Sequence, residues 1–109
     1  MSGPSAQYAP GQFCRVDLNA RDPDAARVFY SGLFGWTGEF AGRAAAAGPY
    51  ERFLLDGRVV AGMGRMSDAM RAAGSPSVWI SYVRVDDVDA IVAEAERLGA
   101  TVRMPATDI

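Results

Sequence analysis

The chain has 109 residues, of which half are apolar, and a net charge of −2, which indicates one small globular domain rather than a disordered segment. It contains no histidine, which excludes Ser-His-Asp and Cys-His catalysis as well as His-ligated zinc or iron. All basic residues are arginine and they form no run, so we expect neither Schiff-base chemistry nor a nucleic-acid partner. With no signal peptide or spanning apolar segment, we expect a cytoplasmic protein with no membrane partner.

The N-terminal elements are predicted in the order arm, strand, helix. Residues 1–11 are rich in Gly, Pro and Ser, which is typical of a flexible arm. The following run FCRVDLNA alternates and predicts a strand with one face on a core. Asp22 is a suitable N-cap, a proline follows it, and Gly35 is a suitable stop, so the pattern predicts a helix over about 23–34.

Three strands are predicted after this helix. TGEFAG indicates a short strand near 37–40, and the Ala-rich stretch 41–48 indicates a turn or loop. YERFLLD alternates, and the Asp56-Gly57 dipeptide after it is a strong hairpin signal, so RVVAGMGRM is the returning strand. Residues 12–66 therefore predict a first β-α-β-β-β module.

The pattern then starts again. Residues 67–77 predict a connector with room for one helical turn, and residues 78–109 predict a partial second module. VWISYVRV indicates its first strand, DDVDAIVAEAERLGA a capped amphipathic helix, and TVRM, from residue 101, the opening of another strand. The residues predicted to face inward on the helix are Val88, Ile91, Val92, Ala95 and Leu98.

The two strand-helix units form a repeat. The capping residues Asp22 and Asp87 are 65 positions apart, and the helix-ending residues Gly35 and Gly99 are 64 apart. Matched caps, lengths and stops at one offset indicate a repeated structural unit.

The segments DLNARDPDAARVFYSGLFGW and DVDAIVAEAERLGATV resemble the glyoxalase, bleomycin-resistance and extradiol-dioxygenase (vicinal oxygen chelate) superfamily over about residues 12–105. This resemblance implies an α+β fold in which paired βαβββ modules form a cupped mixed sheet, with helices outside and the ligand inside the cup. The second module is incomplete in this chain. We therefore expect either that the polypeptide continues past Ile109 or that a partner fills the gap, and we expect a homodimer.

The metal ligands that the resemblance implies are missing. Its first histidine position, seven residues before the capping aspartate, is Arg15 in the first unit and Ile80 in the second. The fourth strand, which ends in a glutamate ligand in the family, offers only Gly and Met here. Since neither Arg nor Ile can donate a lone pair to a cation, we expect no metal and no other cofactor.

The residues that share the predicted inner face are candidates for ligand binding. If the metal position faces the cup, period-2 alternation places Arg15 and Asp17 on the inside of the first strand. The same argument places Ile80, Tyr82 and Arg84 on the inside of the fifth strand. Aromatic, aliphatic and charged groups together suit a pocket for a small organic molecule. Alternatively, Arg15 and Asp17 form a partly exposed ion pair with no other role.

Three functions remain open at this point. The first is a metal-free small-molecule-binding protein, similar to the bleomycin-resistance branch, that sequesters a ligand or antibiotic. The second is an enzyme, either a glyoxalase-like lyase or isomerase or a dioxygenase. The third is an accessory module of a larger protein. The missing ligands favour the first over the second, so we lean towards a protein that is not an enzyme and assign no catalytic residue.

Overall fold

The structure, a computed structural model, describes residues 8–44 and 48–106. Five strands and three helices follow one another along the chain, with three of the strands consecutive. The elements are β1 (Phe13–Ala20), α1 (Pro23–Phe34), β2 (Thr37–Ala44), β3 (Gly48–Leu55), β4 (Arg58–Arg65), α2 (Asp68–Ala72), β5 (Val78–Val83) and α3 (Val88–Arg97). The predicted α+β class is confirmed. Residues 1–7 of the predicted flexible arm lie outside the described residues.

The strands form one mixed, open sheet in the order β2-β3-β4-β1-β5. β3 pairs antiparallel with both β2 and β4, whereas β1 pairs parallel with β4, placing Asp17 opposite Gly62. Residues 15–82 form one compact unit, which holds most of the sheet with α1 and α2. The described parts of 1–14 and 83–109 form a second unit, in which Gly11 and Gln12 exchange backbone hydrogen bonds with Arg84.

Helix α1 has the bounds that its capping residues predict. The Asp22 carboxylate accepts a hydrogen bond from the Ala25 backbone at 3.1 Å and so satisfies one of the unpaired N–H groups of the first turn. Gly35 ends the helix in the left-handed conformation, with φ 74°, and its N–H donates to the Ser31 carbonyl.

The core lies between the sheet and α1. Its buried members come from β1, β3 and β4, and Ala26, Tyr30 and Trp36 pack against them. The core residues are Leu18, Ala20, Phe53, Ala61 and Met63. Successive strand residues point to opposite faces of the sheet. The side that carries these core residues and packs against α1 is called the helix-covered face below, and the other side is called the open face.

The β2–β3 hairpin is longer than predicted. The segment 41–48 was expected to be a turn or loop, but β2 continues to Ala44 and β3 begins at Gly48, while residues 45–47 lie outside the described residues. Pairing resumes past an irregularity between Phe40 and Arg43, so cross-strand hydrogen bonds outweigh the weak strand propensity of Gly and Ala.

The predicted strand TVRM is wrong, because residues 101–106 lie in no strand or helix. Pro105 lacks a backbone N–H and cannot donate to a neighbouring strand, which opposes extension of a strand past Met104. Of the residues predicted to face inward on α3, Val88 and Ile91 are about half exposed and Leu98, just after the helix, is 71% exposed.

Candidate functional site

A cluster of polar and aromatic side chains occupies the open face where β1, β3, β4 and β5 lie side by side. Its centre is Asp17, which is only 8% exposed. One Asp17 carboxylate oxygen accepts a hydrogen bond from the Tyr50 hydroxyl at 2.8 Å, and the other lies 3.2 Å from Nη2 of Arg15. These two contacts compensate the free-energy cost of burying the Asp17 carboxylate, which would be high without them.

Arg15 is held on a second side by an aromatic ring. Its guanidinium carbon lies 4.3 Å from the ring centroid of Tyr82, within the range of a cation–π contact. Burial opposes the positive charge, but the attraction of Asp17 and the hydrogen bond with Tyr82 outweigh it and raise the pKa of Arg15. The guanidinium therefore remains a cation, and its buried Nε has no hydrogen-bond partner among the described residues.

Tyr50 remains a neutral hydrogen-bond donor. Burial, together with its hydrogen bond to the Asp17 carboxylate, raises the pKa of the phenol well above its usual range. Tyr50 reaches Asp17 by lying over Gly62, where a Cβ would be only 1.7 Å from the Tyr50 oxygen. The site therefore requires a residue without a side chain at position 62.

This arrangement suits binding rather than proton transfer. The phenol is held neutral and the guanidinium is held charged, and the carboxylate accepts a hydrogen bond from the first and forms an ion pair with the second. What it offers to a ligand is the remaining guanidinium donors beside the flat face of an aromatic ring. Such a surface suits flat molecules that carry carbonyl or carboxylate oxygens.

The structure brings together three of the five predicted site residues, namely Arg15, Asp17 and Tyr82. Ile80 is 40% exposed and, two residues from Tyr82 in β5, lies on the same face by strand alternation. Arg84 follows β5 and belongs to the second unit, where its guanidinium lies 3.7 Å from the Asp86 carboxylate.

Two residues of the cluster, Tyr50 and Gly62, were not predicted. The alternation of β3 was visible in the sequence, but which of its faces is open depends on how β3 pairs with its neighbours. The contact of Glu51 with Arg27 of α1 settles this, because the adjacent Tyr50 must then point to the open face. The Gly-Met-Gly run of β4 indicated close packing against the strand, but it did not indicate which residue would pack there.

The residues at the implied metal position do not fit a metal. Arg15 carries a positive charge and forms an ion pair with Asp17, and the Ile80 side chain has no atom that could bind a metal. Within residues 8–44 and 48–106, no three His, Cys, Asp or Glu side chains group as a metal site would need.

Comparison with known proteins agrees with this fold. Residues 12–109 match the model of the Glyoxalase/Bleomycin resistance protein/Dioxygenase superfamily, and the chain belongs to that superfamily. The chain is 38% identical over 104 residues to "Putative glyoxylase CFP32" of Mycobacterium tuberculosis, covering 95% of this chain and 40% of that protein. It is 33% identical over 113 residues to "Anthracycline biosynthesis protein DnrV" of Streptomyces peucetius, covering 94% of this chain and 41% of that protein.

The chain therefore spans about two fifths of the length of the curated relatives it matches. None of the helices described in the structure is long and apolar enough to cross a membrane.

Proposed function

We propose that this chain is a small-molecule-binding domain of the glyoxalase and bleomycin-resistance fold that holds its ligand on the open face without a metal. The observation that carries the proposal is the position of Arg15. Its guanidinium stands where the family resemblance expects the first metal ligand, and it is held there by Asp17 and Tyr82. A fixed cation can take the place of a metal ion in attracting a ligand oxygen.

The ligand that suits this site is a flat, carbonyl-rich or acidic organic molecule. The guanidinium donors of Arg15 would contact a carboxylate, quinone or enolate oxygen of the ligand, and the Tyr82 side chain would contact the ligand's ring system. That a relative is named for anthracycline biosynthesis supports this choice, since anthracyclines are polycyclic, oxygen-rich aromatics. Sequestration of such a ligand or antibiotic is the proposed role.

The test is calorimetric titration with 9,10-anthraquinone-2-carboxylate, a probe with both a flat ring system and acidic oxygens. Arg15→Ala should weaken binding by about 1.5–3 kcal/mol, the range of a charge-assisted hydrogen bond. Arg15→Lys should recover only part of the loss because a point charge lacks the planar fork. Arg58→Ala is the matched control, because Arg58 is exposed and is in no ion pair within the described part of the chain.

Equal binding by wild type and Arg15→Ala would make Arg15 a structural residue and would contradict the proposal. A thermal unfolding curve of each variant is required alongside, because loss of the Arg15–Asp17 contact could also destabilise the fold.

The second candidate function is a glyoxalase-like lyase, and it is favoured by the name of the mycobacterial relative. Such an enzyme would need a divalent ion, for which Arg15 and Ile80 are unsuitable. Elemental analysis of the purified protein separates the two functions. We expect no stoichiometric Zn, Ni, Fe or Mn, whereas one tightly bound ion per chain together with glyoxalase activity would support the lyase.

A further inference from the structure

A cavity lies on the helix-covered face, on the opposite side of the sheet from the cluster around Arg15. It is a cleft of about 650 Å³ beside the start of α1, and both the α1–β3 ion pair and the connection after β4 line it. Glu51 lines this cleft, whereas the adjacent Tyr50 points to the open face. The two sites are therefore separated by the thickness of the sheet.

The acidic groups of the cleft are already engaged. Glu51 forms a two-point contact with Arg27, with N–O distances of 2.8 and 2.6 Å, and Asp24 lies 3.0 Å from the same guanidinium. Asp22 caps the first turn of α1. Asp24 and Glu51 therefore pair with Arg27, and Asp22 bonds to a backbone N–H, so none of the three forms an ion pair with Arg21 or Arg71.

Two half-buried arginines of the cleft, Arg21 and Arg71, have no carboxylate within ion-pair distance in the described part of the chain. Arg21 is fixed by donating to the backbone carbonyls of Ser75, at 2.5 Å, and of Arg71, at 3.4 Å. Arg65, which also lines the cleft, contacts only the exposed Asp68 at 3.3 Å. Partly desolvated cations without a counter-ion attract an anion.

The rest of the lining is apolar. Phe40 is 64% exposed although it is a large aromatic residue in a strand, and Pro49 lies near it in the paired strand β3. Met63, buried in the core, contributes to the same cleft. A flat apolar group would cover Phe40 and Pro49 while its charged end reached the arginines. Seven of the eleven lining residues are charged and four are apolar, so the cleft offers both an apolar contact surface and charged anchors to a small molecule.

We propose that this cleft binds a small aromatic carboxylate, with the carboxylate at Arg71 and Arg21 and the ring against Phe40 and Pro49. This site is additional to the ligand site of the open face and does not depend on the function proposed for that face.

The experiment is a titration of the full chain with 1-naphthoate, followed by calorimetry and by backbone amide chemical shifts. Saturable binding is expected, with the largest shifts near Phe40 and Arg71. Arg71→Gln should weaken binding about tenfold or more, the effect of losing a charge-assisted contact. Arg71→Lys should retain part of the affinity, and the neutral analogue 1-naphthalenemethanol should bind as poorly to wild type as the acid binds to Arg71→Gln.

Arg58→Gln is the matched control for charge, because Arg58 lies at the opposite end of β4 from Arg65 and does not line the cleft. Because the open face is also proposed to take acidic aromatic ligands, the titration is repeated with Arg15→Ala, in which the shifts near Phe40 and Arg71 should persist. Shifts confined to the open face around Tyr82, with none near Phe40 and Arg71, would overturn the proposal. So would equal affinity of wild type and Arg71→Gln, or no saturable binding up to the solubility limit of the probe.

Discussion

Gly62 lies beneath the Tyr50 hydroxyl, and the lack of a side chain there lets that hydroxyl reach Asp17. A Cβ at this position would lie 1.7 Å from the Tyr50 oxygen and 2.4 Å from Oδ1 of Asp17. Neither group can move away easily, because each is half-buried or buried and they are bonded to each other. The conformation of Gly62 does not require glycine, since its φ is not positive.

This geometry predicts that Gly62→Ala lowers the free energy of unfolding by about 1–3 kcal/mol, the usual cost of overpacking together with a strained hydrogen bond. Urea unfolding followed by circular dichroism measures the change. Gly64→Ala is the control, because Gly64 lies two residues along the same strand and a Cβ there would meet nothing within 4 Å. A Gly62→Ala variant as stable as Gly64→Ala would show that Tyr50 does not need this position to reach Asp17.

Individual residues of the site were predictable where the prediction needed only one strand. Alternation within β1 places Arg15 and Asp17 on one face, and alternation within β5 places Ile80 and Tyr82 on one face; the resemblance to the family, through its metal positions, put those two faces together. Tyr50 and Gly62 were missed because their roles depend on the register between β3, β4 and β1, which pairs Tyr50 with Gly64 and Asp17 with Gly62. Register of this kind arises from tertiary pairing, which no single segment encodes.

Helices α1 and α3 begin in the same way, with an aspartate whose carboxylate accepts from the backbone N–H three residues later. The distances are 3.1 Å for Asp22 and 3.0 Å for Asp87. These caps are local, since the side chain and the N–H group that it satisfies belong to the same turn. That is why the start of both helices could be read from the sequence alone.

The cap predicts the effect of replacing Asp22. Asp22→Ala should lower the free energy of unfolding by about 1 kcal/mol, the typical value for loss of an N-cap acceptor. Asp22→Ser is the control, because serine restores the acceptor without the charge and should recover most of the stability. Chemical denaturation of both variants measures the difference. Equal loss in the two variants would mean that the negative charge near the helix start, rather than the hydrogen bond, is what matters.

The extent of β2 and the region after α3 could not be predicted in this local way. Strand β2 extends to Ala44 because β3 pairs with it across an irregularity, although its own residues are poor strand formers. The segment TVRM has strand-like residues, yet no strand forms there. In both places the outcome depends on whether a neighbouring strand is available for hydrogen bonding, which composition does not indicate.

At the scale of the whole molecule, the sheet is open, with β2 at one edge and β5 at the other. The two edges differ in character. The β2 edge carries charged residues, among them Glu39, which forms an ion pair with Arg52 of β3, and charges at an edge oppose pairing with another chain. The β5 sequence VWISYV has no charge, and its apolar residues Val78, Trp79 and Ile80 are each 40% exposed.

This asymmetry predicts self-association through β5 rather than β2, because unpaired backbone groups beside exposed apolar side chains are a template for a second strand. We expect a homodimer in size-exclusion chromatography with multi-angle light scattering. Ser81→Lys places a charge in the middle of β5 and should shift the equilibrium towards monomer. Ala93→Lys, on the exposed surface of α3, adds the same charge elsewhere and should leave the dimer intact. A wild-type chain that is monomeric at every concentration would contradict the dimer, and a Ser81→Lys variant that remains dimeric would exclude β5 as its interface.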